Sequence, residues 1–99
     1  MRHGTVPIES VYAQIREFAR ARNAGRVVLF GSRARGAASP KSDIDLAIQG
    51  CDDFQGLEYD LQERLWSLLR VDVINLDDDI SPELLADIKR DGVTLYEKV

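Results

Sequence analysis

Residues 29–48 read Leu29-Phe-Gly-Ser-Arg-Ala-Arg-Gly-Ala-Ala-Ser-Pro-Lys-Ser-Asp-Ile-Asp-Leu-Ala-Ile48. The stretch opens on the end of a β-type apolar run, Val27 to Phe30, which stops at Gly31-Ser32. A connector of small and basic residues, Arg33 to Ser42, leads into a second apolar run that carries Asp43 and Asp45. Side chains two apart on a strand share a face. Asp43 and Asp45 should therefore stand together, with Ile44, Leu46 and Ile48 turned into a core. Adjacent carboxylates repel unless a cation sits between them. Gly31 can take dihedrals closed to other residues and lets a ligand approach the backbone. A Gly-Ser turn running into the short helical turn Arg33-Ala34-Arg35 offers backbone N–H groups and a hydroxyl to a phosphate. Carboxylates suited to Mg²⁺ beside a phosphate cradle describe a nucleoside-triphosphate site.

The flanking segments alternate between helix and strand. Pro7 suits a first helical turn. Ile8, Val11, Tyr12, Ile15, Phe18 and Ala19 form one apolar stripe of helical period, which Asn23 to Gly25 should close. Arg26 to Phe30 reads as a short buried strand. After the turn Gln49–Asp53, where Asp52 or Asp53 can cap, a helix is expected from Phe54 to about Leu69. Its stripe is Phe54, Leu57, Leu61, Leu65 and Leu68, with Trp66 beside it as a core residue. Val71 to Leu76 is a third strand bearing Asp72, a carboxylate that needs a reason in an apolar run. Asp77-Asp78-Asp79 reads as a solvated loop. Ser81-Pro82 opens a last helix with Leu84, Leu85 and Ile88 on its buried side, and Val93 to Glu97 follows Gly92 as a final strand. The expected class is α/β: one small mixed β-sheet with helices packed on one face and the carboxylate-bearing face left partly open.

Gly31-Ser32, ten intervening residues and Asp43-x-Asp45 resemble the signature of the DNA-polymerase-β-like nucleotidyltransferase superfamily. The likeness is greatest to the minimal nucleotidyltransferase (MNT) domains. It extends through Asp72 and the closing Ile88-Lys-Arg-Asp-Gly-Val-Thr-Leu-Tyr-Glu97, so residues 1–99 are expected to form a single MNT domain. The resemblance implies transfer of a nucleoside monophosphate from an NTP to an acceptor, with pyrophosphate released. It implies Asp43, Asp45 and Asp72 as catalytic residues and ligands of Mg²⁺, in a two-ion scheme. Gly31, Ser32, Arg33 and Arg35 are the expected nucleotide-binding residues, with the charge-offsetting arginine left open between the last two. MNT domains of this look are antitoxins to HEPN-domain toxins, adding AMP from ATP to a tyrosine of the partner. The acceptor site is then shared with that partner in a hetero-oligomer. Two other readings stay open: an antitoxin that neutralises its partner sterically, and a transferase acting alone on a small molecule.

Composition narrows the field further. A 99-residue chain with 44% apolar and 30% charged residues fits one modest core. No apolar run approaches the roughly 20 residues that span a bilayer, and residues 1–7 lack a signal-peptide core, so a cytoplasmic location is expected. Cys51 stands alone, without a disulfide or metal-site companion. The net charge of −4 argues against non-specific nucleic-acid binding. It is unevenly spread: residues 1–50 carry eight Lys/Arg and four Asp/Glu, and residues 51–99 carry five and thirteen. The basic half could attract a triphosphate, and the acidic half could dock a basic partner.

Overall fold

The computed structural model describes residues 6–99, and the expectation for residues 1–5 lies outside them. Helix α1 (Ile8–Ala21) follows Pro7 and buries Val11, Ile15 and Ala19 from the predicted stripe. Its end is a Schellman-type stop. Asn23 takes a left-handed φ of 60°, its N–H donates to Arg20 O (3.1 Å), and Ala24 N–H donates to Ala19 O (3.0 Å).

Four strands follow: β1 (Arg26–Phe30), β2 (Ile44–Gln49), β3 (Val71–Asn75) and β4 (Val93–Glu97). They form one mixed sheet in the order β3-β2-β1-β4, with β2 and β3 parallel and β1 antiparallel to both of its neighbours. The register of β1 on β2 sets Val27 opposite Ile48 and Leu29 opposite Leu46. These residues share a core with Ile44, Val71, α1 and helix α2 (Phe54–Tyr59). Ile44, Leu46 and Ile48 are fully buried, so truncating any one to alanine should cost about 2–5 kcal/mol.

The opposite face carries Val28, Ala47 and Ile74, with Phe30 beside them. Helix α3 (Pro82–Asp91) packs Ile88 and Leu84 there, after starting as expected with Ser81 Oγ accepting Leu84 N–H (3.2 Å). Helices on one face thus describes α1 and α2 but not α3. Asp43 remains exposed on this side, and Asp45 and Asp72 half-exposed.

The helix expected from Phe54 to Leu69 ends early. α2 runs on only as a π-helical turn, Asp60–Arg64, and Leu65 is already extended (φ −69°, ψ 131°). A contact from α1 holds the chain out of helix. Gln14 Oε1 accepts Trp66 N–H (2.7 Å), and Gln14 Nε2 donates to Trp66 O (3.3 Å). The end of the predicted stripe is accordingly not core: Leu68 is 74% exposed and Trp66 51%. No described helix is long and apolar enough to cross a membrane.

Candidate active site

Because β2 and β3 run parallel and in register, Asp45 lies directly opposite Asp72. Two carboxylates on neighbouring strands, on one face, meet at close range. Burial pushes the Asp45 carboxyl above its usual range, and the negative charges of Asp72 and Asp43 push it further. A hydrogen bond shared with Asp72 acts in the same direction, and only the charge of Arg35 opposes it among the named causes. Asp43 sits one residue before β2 and acts through its charge. Arg70 Nε lies 3.4 Å from Asp72, but this pair is largely exposed and weak. The structure therefore sets Asp45 opposite Asp72 as a pair, with Asp43 near enough for its charge to act on Asp45.

Gly31 closes the other side. Phe30 stands opposite Asp45 in the sheet, so the next residue turns over the carboxylate. Its φ is +77°, and a Cβ there would overlap Asp45 Oδ2. Only glycine satisfies both demands. Gly31 O then accepts the N–H groups of Ala34 (3.1 Å) and Arg35 (3.2 Å), which makes the short helical turn expected after Ser32. The amides of Ser32 and Arg33 precede its first helical bond.

The two arginines of the turn go different ways. Arg33 turns towards the connector, where its Nε and Nη2 donate to Ser42 O (3.1 and 2.9 Å) and Nη2 also to Pro40 O (3.2 Å). Arg35 is exposed, and its charge acts on Asp45 and on Asp91 at the end of α3. The part Asp91 plays beside Arg35 was not legible in sequence, since the two lie far apart along the chain.

The donor set fits a hard divalent cation: carboxylate oxygens only, with mutual repulsion that a cation would relieve. Among the described residues no group of three or more His, Cys, Asp or Glu is already gathered as a metal centre. Asp43, Asp45 and Asp72 are thus not already assembled as a three-carboxylate centre among the described residues.

A second aspartate has a quite different setting, and sequence reading gave it no role. Asp60 is 2% exposed at the start of the π-helical turn. Its oxygens accept Arg22 Nε (2.8 Å), Arg22 Nη2 (3.3 Å) and Arg64 Nη1 (3.2 Å). Arg22 Nη1 reaches on to Asp53 (2.7 Å), and the Arg64 guanidinium lies 5.5 Å from the centre of the Phe18 ring. The i, i+4 spacing of Asp60 and Arg64 was a readable signal; Arg22, 38 residues upstream, was not.

A family model described as Polymerase beta, Nucleotidyltransferase matches residues 13–99. The chain belongs to this nucleotidyltransferase family. Solved structures agree in fold and with the MNT resemblance. A toxin–antitoxin with AMP-PNP aligns at a TM-score of 0.69 and 26% identity, over 88% of this chain and 73% of that one. A mutant of the toxin–antitoxin MntA-HpeT aligns at 0.65 and 26%, over 87% and 72%. The toxin–antitoxin MntA-HepT aligns at 0.64 and 23%, over 91% and 73%, a likeness of fold alone. No curated protein matches the sequence significantly.

Proposed function

We propose that this nucleotidyltransferase domain uses Mg²⁺ to transfer AMP from ATP to a hydroxyl group, that of a tyrosine, on a HEPN-type toxin partner, and so acts as its antitoxin. The observation that carries the reading is the in-register pair Asp45 and Asp72, with Asp45 packed against Gly31 and Asp43 just upstream. A cluster of like charges only weakly offset by exposed arginines is a poor structural device and a good cation site. Asp43, Asp45 and Asp72 would hold Mg²⁺, which when bound supplies charge neutralisation on the triphosphate.

The chain's own groups do the rest. Gly31 leaves the backbone open to the triphosphate, and Ser32, through its hydroxyl and amide, donates to the terminal phosphates. Arg35, the exposed arginine beside Asp45, offsets phosphate charge. The acceptor oxygen attacks the α-phosphorus in line, a new P–O bond forms, and the bond to the β-phosphate oxygen breaks. Pyrophosphate departs, and the hydroxyl proton passes to a carboxylate oxygen of Asp72. The partner reading is supported by the neighbouring toxin–antitoxin structure, which holds AMP-PNP.

The test is incubation of the protein with the candidate toxin, Mg²⁺ and labelled ATP. The partner should gain mass in steps of one AMP, with the protein present in catalytic amounts. It should stay inactive after the protein is removed, because the phosphodiester persists. An unmodified partner, inhibited only at full stoichiometry, would leave a steric binding module in place of the enzyme.

A further inference from the structure

We propose that Arg33 is a positioning residue: its guanidinium clamps the end of the connector and thereby fixes where Asp43 enters the site, without touching the nucleotide. This rests on the reading of Asp43 as part of the working carboxylate cluster. Ser42 O is the carbonyl of the peptide bond that leads into Asp43, and it takes both Arg33 Nε (3.1 Å) and Arg33 Nη2 (2.9 Å). The same Nη2 reaches Pro40 O (3.2 Å), and Ser42 Oγ accepts Ser39 N–H (2.9 Å), which closes the loop on itself. On the far side, Ile44 N–H donates to Arg70 O (2.9 Å). Asp43, itself exposed, is thus held through the backbone of both neighbours.

Reaching a phosphate would require the guanidinium to give up these charge-assisted bonds. A planar fork suits several carbonyls at once, and a lysine ammonium does not. Arg35 makes no side-chain hydrogen bond among the described residues, so its charge is available where that of Arg33 is committed. The two arginines of Arg33-Ala34-Arg35 divide the work: one holds the loop, the other faces the substrate.

The experiment compares Arg33→Lys, Arg33→Gln and Arg35→Gln in two assays. In AMP transfer, both Arg33 variants should lose about tenfold or more in kcat, with KM for ATP changed by less than about twofold, since a displaced carboxylate spoils geometry rather than binding. Arg35→Gln should instead raise KM for ATP several-fold. In the second assay, without nucleotide, trypsin should cut after Lys41 several-fold faster in both Arg33 variants than in the wild type or Arg35→Gln. Folding is checked by circular dichroism. A KM rise in Arg33→Gln that Arg33→Lys restores would make Arg33 a phosphate contact and overturn the clamp. Unchanged cleavage after Lys41 would overturn it as well. Should the wild type transfer no AMP, the enzymatic reading fails, and the cleavage assay still decides the clamp.

Discussion

Asp60 is buried and Asp45 half-exposed, and the protein treats these two aspartates in opposite ways. Asp60 is surrounded by guanidinium: hydrogen bonds from Arg22, then from Arg64, hold its carboxyl below the usual range despite burial. Asp45 is surrounded by its own kind and is pushed the other way by burial, Asp72 and Asp43. The first arrangement is complete, with every charge answered by the fold, and it ties the end of α1 to α2. The second leaves Asp45 with a repulsion that, among the named causes, only the charge of Arg35 opposes. A buried carboxylate with its partners in place is a strut, whereas one left among other carboxylates marks a place where something else must bind.

The comparison can be broken most forcefully at the strut. Asp60→Asn removes the charge that Arg22 and Arg64 answer and should destabilise the domain by about 2–3 kcal/mol in urea unfolding. That is at or just below the roughly 3–5 kcal/mol of broken buried pairs, since both arginines reach solvent. No measurable change would mean that the network is ornamental. Next in size is Gly31→Ala, which meets both the positive φ and the overlap with Asp45 Oδ2 and should cost about 1–2 kcal/mol. Much of the overlap cost should vanish in an Asp45→Ala background. A strictly additive double-mutant cycle would show that the two residues are not in contact.

Asp45→Asn should shift stability the other way, raising it by about 0.5–1 kcal/mol at neutral pH without metal, because one of the repelling charges is gone. The pH dependence sharpens the contrast. The folded pKa of Asp60 lies below its unfolded value of about 4, so its contribution is present above that pH and is lost as pH falls through the folded pKa. Asp45 has a folded pKa above its unfolded value, so its ionisation erodes stability as pH rises from about 4 through the raised pKa. Stability profiles of the two Asn variants against wild type should therefore diverge on opposite sides of the acid range. An effect of similar size but opposite sign is expected for Gln14→Ala, a loss of about 0.5–1 kcal/mol by thermal unfolding, from the two bonds to the Trp66 backbone.

These regions also differ in how legible they were. The strand–turn–strand unit could be read because its determinants are local: a glycine at the turn, carboxylates at i and i+2, and apolar residues between them. The end of α2 could not, because Leu65 to Leu69 is a good helical sequence overruled by Gln14, 52 residues away. Asp60 was opaque for the same reason, its main partner being on another helix. The packing of α3 on the carboxylate side depends on strand order, which no single segment encodes. Arg33 and Arg35 are chemically alike and two residues apart; only the path of the connector distinguishes them.

The central claim is that Asp45 and Asp72, opposed only weakly by Arg35 and the exposed Arg70, offer a place to a divalent cation, while Asp60 needs none. Thermal unfolding with increasing Mg²⁺ tests it directly, since a ligand that binds only the folded state raises Tm. The wild type and Asp60→Asn should both gain Tm with Mg²⁺, the latter from a lower starting point. Asp45→Asn should start higher and gain little. An equal Mg²⁺ response in Asp45→Asn and the wild type would contradict the account, because the cation would then be bound somewhere other than between these carboxylates.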